Sequence, residues 1–392
     1  MARRMLLLDT GKEWGGGTNS MIELLKRLDH ARFAVSACFY HDYPHGSSTL
    51  AAELAAISVP LIVMPVRSQP LWAKIAKELL RGLLGWHRRW RAAAVFRIEL
   101  CWRIRPRARA LAEVLRRGEY TLLYMNNQPA SNLEGYLAAM SAGVAVVQHC
   151  RVEPVVNAFE RDQVNRAAAA VLCVSEGVRD ALIRQGVRGE LCQVIHNGID
   201  VSQAMPDAQR LPGVAPGMPV VGVVASLLKR KAVDHLLRAV ARLPAAMAPH
   251  VLVVGDGPEA AALRGLADAL GLSSATTFAG FQARPLPWLM AMDILVLSSP
   301  SEGFPRVVLE AMLLGKPVVA ARNAGTTALV EHAVTGYLYD FGDIDALSRQ
   351  LAVLLNHADL RRAFGEAGRR RVIANFSIER YVAGVTAALE AA

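Results

Sequence analysis

Two glutamates eight positions apart, Glu302 and Glu310, stand in the run "SEGFPRVVLEAMLLGKP". The first precedes a Gly-Phe-Pro turn, and the second falls inside an apolar helical pattern. Pro305 suits the first helical position, because its missing N–H would be unpaired there anyway. The N–H groups of Arg306 and Val307 are then free donors at a helix start, where an anion such as phosphate is stabilised. Glu310 comes about one and a half turns later, flanked by Val307, Val308, Leu309, Met312, Leu313 and Leu314. A buried carboxylate without a partner costs several kcal/mol, so something must donate to it. One source is the protein itself, through Arg306 on the preceding turn or Lys316. The other is a vicinal diol, such as a nucleotide's ribose, with the phosphates at the helix start.

These residues need strands to present them. Short β-rich runs alternate with helical patterns along the chain, which predicts a parallel sheet covered by helices on both faces. Strands are expected near 5–10, 33–40, 60–66, 120–126, 144–150, 170–175 and 191–196, with the clearest helices at 18–28, 131–142 and 176–186. "DVSQAMPDAQRLPGVAPGMP" (200–219) has no periodicity and is rich in Pro and Gly, as an interdomain linker is. Alternation then restarts at 220–226, 250–257, 276–281, 293–300 and 316–322. The fold class is therefore α/β, with two doubly wound parallel-sheet domains facing a central cleft. The expected domains are 1–198 and 199–375, and a terminal helix at 376–392 is expected to pack back on the first. Ligands of such sheets collect outside the carboxyl ends of the strands.

Composition narrows the classes. At 392 residues the chain exceeds one typical core. No apolar run approaches the ~20 residues of a membrane-spanning helix. The opening "MARRMLLLDTGKEWGGG" meets Asp9 and Gly11 too soon for a signal peptide and reads as a first strand. Five scattered cysteines form no metal-ligand spacing, which suits a reducing cytoplasm. Neither a metal nor a cofactor is expected.

The Glu-x7-Glu arrangement resembles glycosyltransferase family 4, retaining enzymes with the two-domain GT-B fold. "SLLKRKAVDHLLRA" (226–239), "LVVGDGPEAAALRGLADALGLSSATTFAGF", "VIHNGID" (194–200) and "WGGGTNSMIELLKRL" resemble further family segments in the right order, densest over about 190–340. The resemblance implies that Lys231 binds the donor diphosphate, that Glu310 binds the ribose, and that Glu302 faces the transferred sugar. It implies donor contacts from Phe304, Arg306 and Val307 as well. It places His149, at the end of "AVVQHCR", near the sugar, with a satisfied structural histidine as the alternative. Gly16 and Gly17 would let backbone approach phosphates or acceptor, unless they serve only a tight turn. Ser226 stands where the family has an arginine, which Lys229 or Arg230 would replace. Ala232 replaces the glycine after the lysine. In "NAGTTALVEH", Ala324 and Ala328 depart from the family's G-G-x-x-E. The implied reaction moves a sugar from a nucleotide-diphosphate sugar, with retention and without a required metal. The alternatives are a sugar-nucleotide epimerase or hydrolase on the same fold, and a basic nucleic-acid-binding protein with a degenerate transferase fold.

The net charge of +10 is local: residues 70–118 carry thirteen Lys/Arg against three Glu, an excess equal to that of the whole chain. Trp72, Ala76, Leu79, Leu83, Trp86 and Trp90 recur as one helical stripe, with Arg81, Arg88, Arg89 and Arg91 at its margins. Tryptophan beside arginine on an amphipathic helix fits an interfacial membrane helix. A core helix with a solvated basic face is the alternative, and nucleic-acid binding is the third reading. The expected partners are a nucleotide sugar, a lipid-linked or glycan acceptor of lipopolysaccharide, polysaccharide or glycolipid synthesis, and an anionic membrane surface. The expected location is the inner face of the membrane, peripherally bound.

Overall fold

The computed structural model describes every residue except 1, 12, 13, 47, 67 and 84–86, and every described side chain except those of His45, Arg88 and Arg89. It divides into two compact units. One comprises Met1–Cys173, Arg179–Val194 and Gly384–Ala392; the other comprises Val174–Val178 and Ile195–Ala383.

The first unit is built on β1 (Arg3–Leu8), β2 (Phe33–Phe39), β3 (Leu61–Val63), β4 (Leu122–Met125), β5 (Ala145–Cys150), β6 (Ala168–Cys173) and β7 (Cys192–Val194). Their order is β3-β2-β1-β4-β5-β6-β7, with every pairing parallel. The second unit holds β8 (Val220–Val224), β9 (His250–Val254), β10 (Thr276–Gly280), β11 (Ile294–Leu297), β12 (Val318–Ala321) and β13 (Gly336–Tyr339). Their order is β10-β9-β8-β11-β12-β13, again all parallel. Both sheets start in the middle and wind outward twice, which creates a topological switch point in each. β4, β11 and β12 are buried along their whole length. Helices cover both faces of such a sheet, so these strands are continuously apolar rather than alternating.

Three features differ from the sequence expectation. The second unit begins at Ile195 rather than 199 and also takes in Val174–Val178. The cause is local: His196 Nδ1 bonds the Val174 carbonyl at 3.0 Å, and its Nε2 lies 3.5 Å from Glu176. The terminal helix, Ile378–Ala391, is shared, with only Gly384 onward grouped in the first unit. There Arg3 Nη1 donates to the Leu389 carbonyl at 2.6 Å and Arg32 pairs with Glu390. β13 was not expected at all.

The basic aromatic stretch is two helices, not one stripe. Leu71–Leu83 is followed by Arg88–Glu99, which continues through a π-helical turn at Leu100–Ile104 into Arg105–Arg117. Pro106 accounts for the π turn, since it lacks the N–H that would bond the Trp102 carbonyl and its ring crowds that carbonyl. In the first helix Ala73 is buried and Ala76, Lys77 and Leu80 are half-buried, so this face points inward. Leu71, Trp72, Ile75, Leu79 and Leu83 are exposed, as is Trp90. Arg81 is exposed beside Glu78. A core helix does not present such side chains to water, so that alternative fails for these residues. Trp86 and the side chains of Arg88 and Arg89 lie outside the described set.

Candidate active site

β8 delivers the chain to Ala225, whose N–H bonds the Val254 carbonyl at 3.0 Å, and Leu227 N–H then bonds the Asp256 carbonyl at 2.8 Å. This close approach explains the two glycines of "GDGP". Gly255 has φ +135 and Gly257 φ +156, and a Cβ would lie 1.9 Å from the Ala225 oxygen at the first and 2.6 Å from the Leu227 oxygen at the second. The loop ends in one 3-10 turn, Lys229–Lys231, followed by Ala232 in the left-handed region at φ 46 and ψ 44. An alanine there is strained by about 1–2 kcal/mol relative to its usual conformations. Ser226, Lys229 and Arg230 are exposed.

The turn aims Lys231 at Glu302. Nζ donates to Oε1 at 2.5 Å, across 71 positions of sequence, and both side chains are only about one-seventh exposed. Glu302 is held from the other side by the loop after β12. Gly325 N–H bonds the Glu302 carbonyl at 2.9 Å, and a Cβ at Gly325 would lie 2.8 Å from that oxygen. Asn323 caps the following short helix in a reciprocal pair with Thr326, and its Nδ2 bonds the Ser299 carbonyl at 2.9 Å. The methyl of Ala324 fits because residue 177 is glycine, where a Cβ would come within 2.6 Å of it.

The helix after the turn runs Arg306–Leu313. Pro305 is its N-cap, at φ −70 and ψ 114, rather than its first residue, and no side chain caps the end. Arg306 Nε donates to Glu310 Oε1 at 2.8 Å, so the first of the two sources named for Glu310 is present. Arg306 Nη1 is buried with no partner among the described residues. Glu310 Oε2 accepts no hydrogen bond among them either, and the carboxylate is not sealed. Lys316 is not its partner: burial lowers the Lys316 ammonium, opposed by Asp293. Val307 is half-buried. Phe304, expected to contact the donor, is buried, with its ring stacked on His196 at 4.9 Å and edge-on to Phe376 at 5.4 Å.

The first unit holds a buried polar layer at the carboxyl ends of β1, β4 and β5. Asp9 accepts from Asn126 Nδ2 at 2.5 Å and from the Gly11 N–H at 2.7 Å. Arg151 Nε donates to Asn126 Oδ1 at 2.7 Å. Burial raises the Asp9 carboxyl, opposed by Asn126, Gly11 and Arg151. Gln148 accepts from Tyr136 Oη at 3.0 Å and from Asn132 at 3.3 Å. Sequence reasoning missed Asp9, Asn126, Gln148 and Arg151. Their signal was the polar run that closes each apolar strand: "LDT", "NNQ" and "QHCR". Gly16 and Gly17 open the helix Gly16–Arg27 with negative φ, so no tight turn requires them. A Cβ at Gly16 meets nothing within 4 Å, and at Gly17 only Arg151 Cγ at 3.9 Å.

His149 is fully buried and paired with Tyr124 Oη at 2.6 Å. Burial, then Arg151, lowers its imidazole well below the ordinary value of 6.5. An unfolded His149 takes up a proton below that pH while the folded one does not. Its stability contribution is therefore complete above 6.5 and is lost as pH falls, by up to about 1.4 kcal/mol per pH unit. His235 and His250, also lowered by burial, act with the same sign. Denaturant midpoints should decline on acidification from neutrality, and more shallowly in His149→Gln.

The comparisons with known proteins follow the same two-unit division. The family model described as Glycosyltransferase Family 4 matches residues 14–203, and that described as Glycosyl transferases group 1 matches 208–371. A lipopolysaccharide core biosynthesis glycosyltransferase of Rhizobium meliloti is 29% identical over 214 residues, 55% of this chain and 62% of that protein. A D-inositol 3-phosphate glycosyltransferase of Mycobacterium avium is 36% identical over 174 residues, 41% of this chain and 40% of that protein. The chain thus spans less than two thirds of these relatives' length. The structure of Anabaena HepE in complex with UDP-glucose superposes with a TM-score of 0.76 at 23% identity, covering 99% of this chain and 100% of that one. With one model on each unit and a shared fold throughout, the chain belongs to the GT-B glycosyltransferases of family 4, group 1 type.

Proposed function

We propose that the chain is a retaining glycosyltransferase that moves a sugar from a nucleotide-diphosphate sugar to a lipid-linked glycan acceptor at a membrane surface. One observation carries the donor half of this reading: Lys231 and Glu302, far apart in sequence, meet at 2.5 Å beside an uncapped helix start. Lys231 and the N–H groups of Arg306 and Val307 would take the diphosphate, whose negative charge grows as the glycosidic bond breaks. Glu302, released from Lys231, would face the positive charge that builds on the sugar ring. Glu310 would bind the ribose through its unoccupied oxygen. Retention follows if the acceptor enters on the face the diphosphate leaves. No metal is required for this chemistry.

The structure with UDP-glucose supports a nucleotide-sugar donor by likeness of fold. The Rhizobium relative's name supports an acceptor of the lipopolysaccharide type. Purified protein incubated with a panel of nucleotide sugars should release nucleoside diphosphate only when a lipid-linked acceptor fraction is added. Equal release without acceptor would mark a hydrolase.

The membrane half rests on the helix Leu71–Leu83, on which Leu71, Trp72, Ile75, Leu79 and Leu83 are more than half exposed beside a basic segment. Among the described residues no helix is long and apolar enough to cross a membrane. Peripheral binding to the inner leaflet follows from apolar insertion plus roughly 1 kcal/mol per basic residue near an anionic surface. Replacing Trp72 and Leu79 by alanine should weaken co-sedimentation with anionic vesicles by about tenfold or more. Undiminished binding would remove this helix from the membrane reading.

A further inference from the structure

A second polar cluster lies in the first unit, around Tyr40, Trp102 and Glu134. Tyr40 and Met64–Pro65 directly follow β2 and β3, at the carboxyl end of the sheet where ligands of such folds collect. With Trp102, Arg103, Pro106, Arg107 and Ala110 they enclose a cavity of about 50 Å³. That is room for a water or two, or for one hydroxymethyl group. Trp102 and Arg103 are presented by the π turn, a distortion that accompanies functional sites more often than plain helix does.

The polar atoms here are not satisfied. Tyr40 Oη and Trp102 Nε1 are buried without a hydrogen bond of ordinary length, as is Oε1 of Glu134 behind them, although Glu134 interacts with the Tyr40 hydroxyl. Tyr40 and Glu134 are almost entirely buried. Arg107 lies over the Tyr40 ring at 4.1 Å and reaches Glu134 only at 3.7 Å, and Lys77 lies over Trp102 at 5.6 Å. Burial, and then Glu134, raises the Tyr40 phenol, so its proton stays on. Each orphaned group of this kind costs about 1–3 kcal/mol, and native interiors carry few of them.

The kind of unsatisfied group identifies the ligand. Two neutral donors alone would suit an anion, but a buried carboxylate beside them repels one. A neutral hydroxyl can accept from Tyr40 and Trp102, which both line the cavity, and unlike an anion it is not repelled by Glu134 behind them. The geometry points to a carbohydrate subsite in which a sugar hydroxyl of the acceptor occupies the Tyr40–Trp102 cavity. It lies next to the helix with the exposed apolar face, because Lys77 of that helix contacts Trp102 and also pairs with Glu99, just before the π turn. A lipid-linked acceptor could then meet apolar and sugar-binding surfaces side by side. This inference rests on the glycosyltransferase reading but is testable apart from it.

The test follows the indole N–H signal of Trp102 by NMR in protein labelled with heavy nitrogen at its tryptophans, the signal being assigned by its loss in Trp102→Phe. The probes are the methyl α-glycosides of glucose, galactose and mannose, each at about 50 mM, above a ~1 mM dissociation constant. Inorganic phosphate at the same concentration is the anion arm. The expected result is a saturable shift with at least one glycoside, none with phosphate, and an affinity about tenfold weaker in Tyr40→Phe. Trp102→Phe and Tyr40→Phe should melt no lower than the unchanged protein, because each removes an unsatisfied donor. A signal that no glycoside moves, that phosphate alone moves, or that moves equally in Tyr40→Phe overturns the assignment. UDP binding measured by calorimetry on the same sample reports on Lys231. Loss of the donor reading and loss of this subsite are thus separate results.

Discussion

Replacing Lys231 by alanine should lower turnover by about 100- to 1000-fold, the loss seen when one preorganised donor to a developing negative charge is removed. Lys231 is the ammonium that the fold carries to Glu302, and its loop is fixed by hydrogen bonds from Ala225 and Leu227 to the β9 turn. Loop geometry should therefore survive the substitution. Affinity for nucleoside diphosphate by calorimetry should fall with it. Removing Lys231 also deprives Glu302 of its ion partner, so some stability is lost whatever the lysine's role. The distinction lies in the split: a structural lysine moves the melting temperature and leaves diphosphate affinity alone. Unchanged affinity would remove Lys231 from the donor site.

The second large effect is at Glu310. Its alanine variant should weaken nucleotide binding by roughly 10- to 100-fold, the equivalent of hydrogen bonds to a charged acceptor worth about 1.5–3 kcal/mol. That variant also frees Arg306, whose Nη1 is already buried without a partner. Glu310→Gln is the cleaner comparison, because it keeps the shape and an accepting oxygen. If Glu310 serves only Arg306, both variants lower stability and neither changes nucleotide affinity. If it binds ribose, the dissociation constants rise in both, more in the alanine.

The sheets were legible in the sequence because buried parallel strands are continuous apolar runs, as in "ILVL" and "VVAA". β13 escaped notice because "GYLY" carries glycine and two tyrosines in only four residues. The domain boundary was off by a few residues because nothing in "CVSEGV" announces that His196 will tie it to the second unit. Motif spacing singled out Lys231, Glu302, Arg306 and Glu310 without coordinates, and the structure pairs them two by two. Spacing alone did not show the surroundings of Phe304, whose ring packs on His196 and Phe376. His149 was ambiguous for the same reason, and the structure adds that it is buried and bonded to Tyr124. The Tyr40–Trp102 cavity was invisible, because its residues come from the ends of β2 and β3, a π turn that only Pro106 hints at, and the helix after it.

The basic segment shows how a correct composition can hide a wrong register. Its charge and tryptophans are where the sequence places them, but the apolar stripe does not run through Trp90 as one helix. Ala76, counted in the stripe, faces inward, while Leu71 and Ile75, left out of it, face water.

The central claim is that a nucleotide sugar places its ribose on Glu310 and its diphosphate between Lys231 and the start of the helix Arg306–Leu313. A crystal structure of the protein soaked with its preferred nucleotide sugar tests this most directly. The account predicts both ribose hydroxyls within hydrogen-bond reach of the Glu310 carboxylate, and Lys231 turned from Glu302 to a phosphate oxygen. A nucleotide bound elsewhere, with the Lys231–Glu302 and Arg306–Glu310 pairs intact, would contradict it.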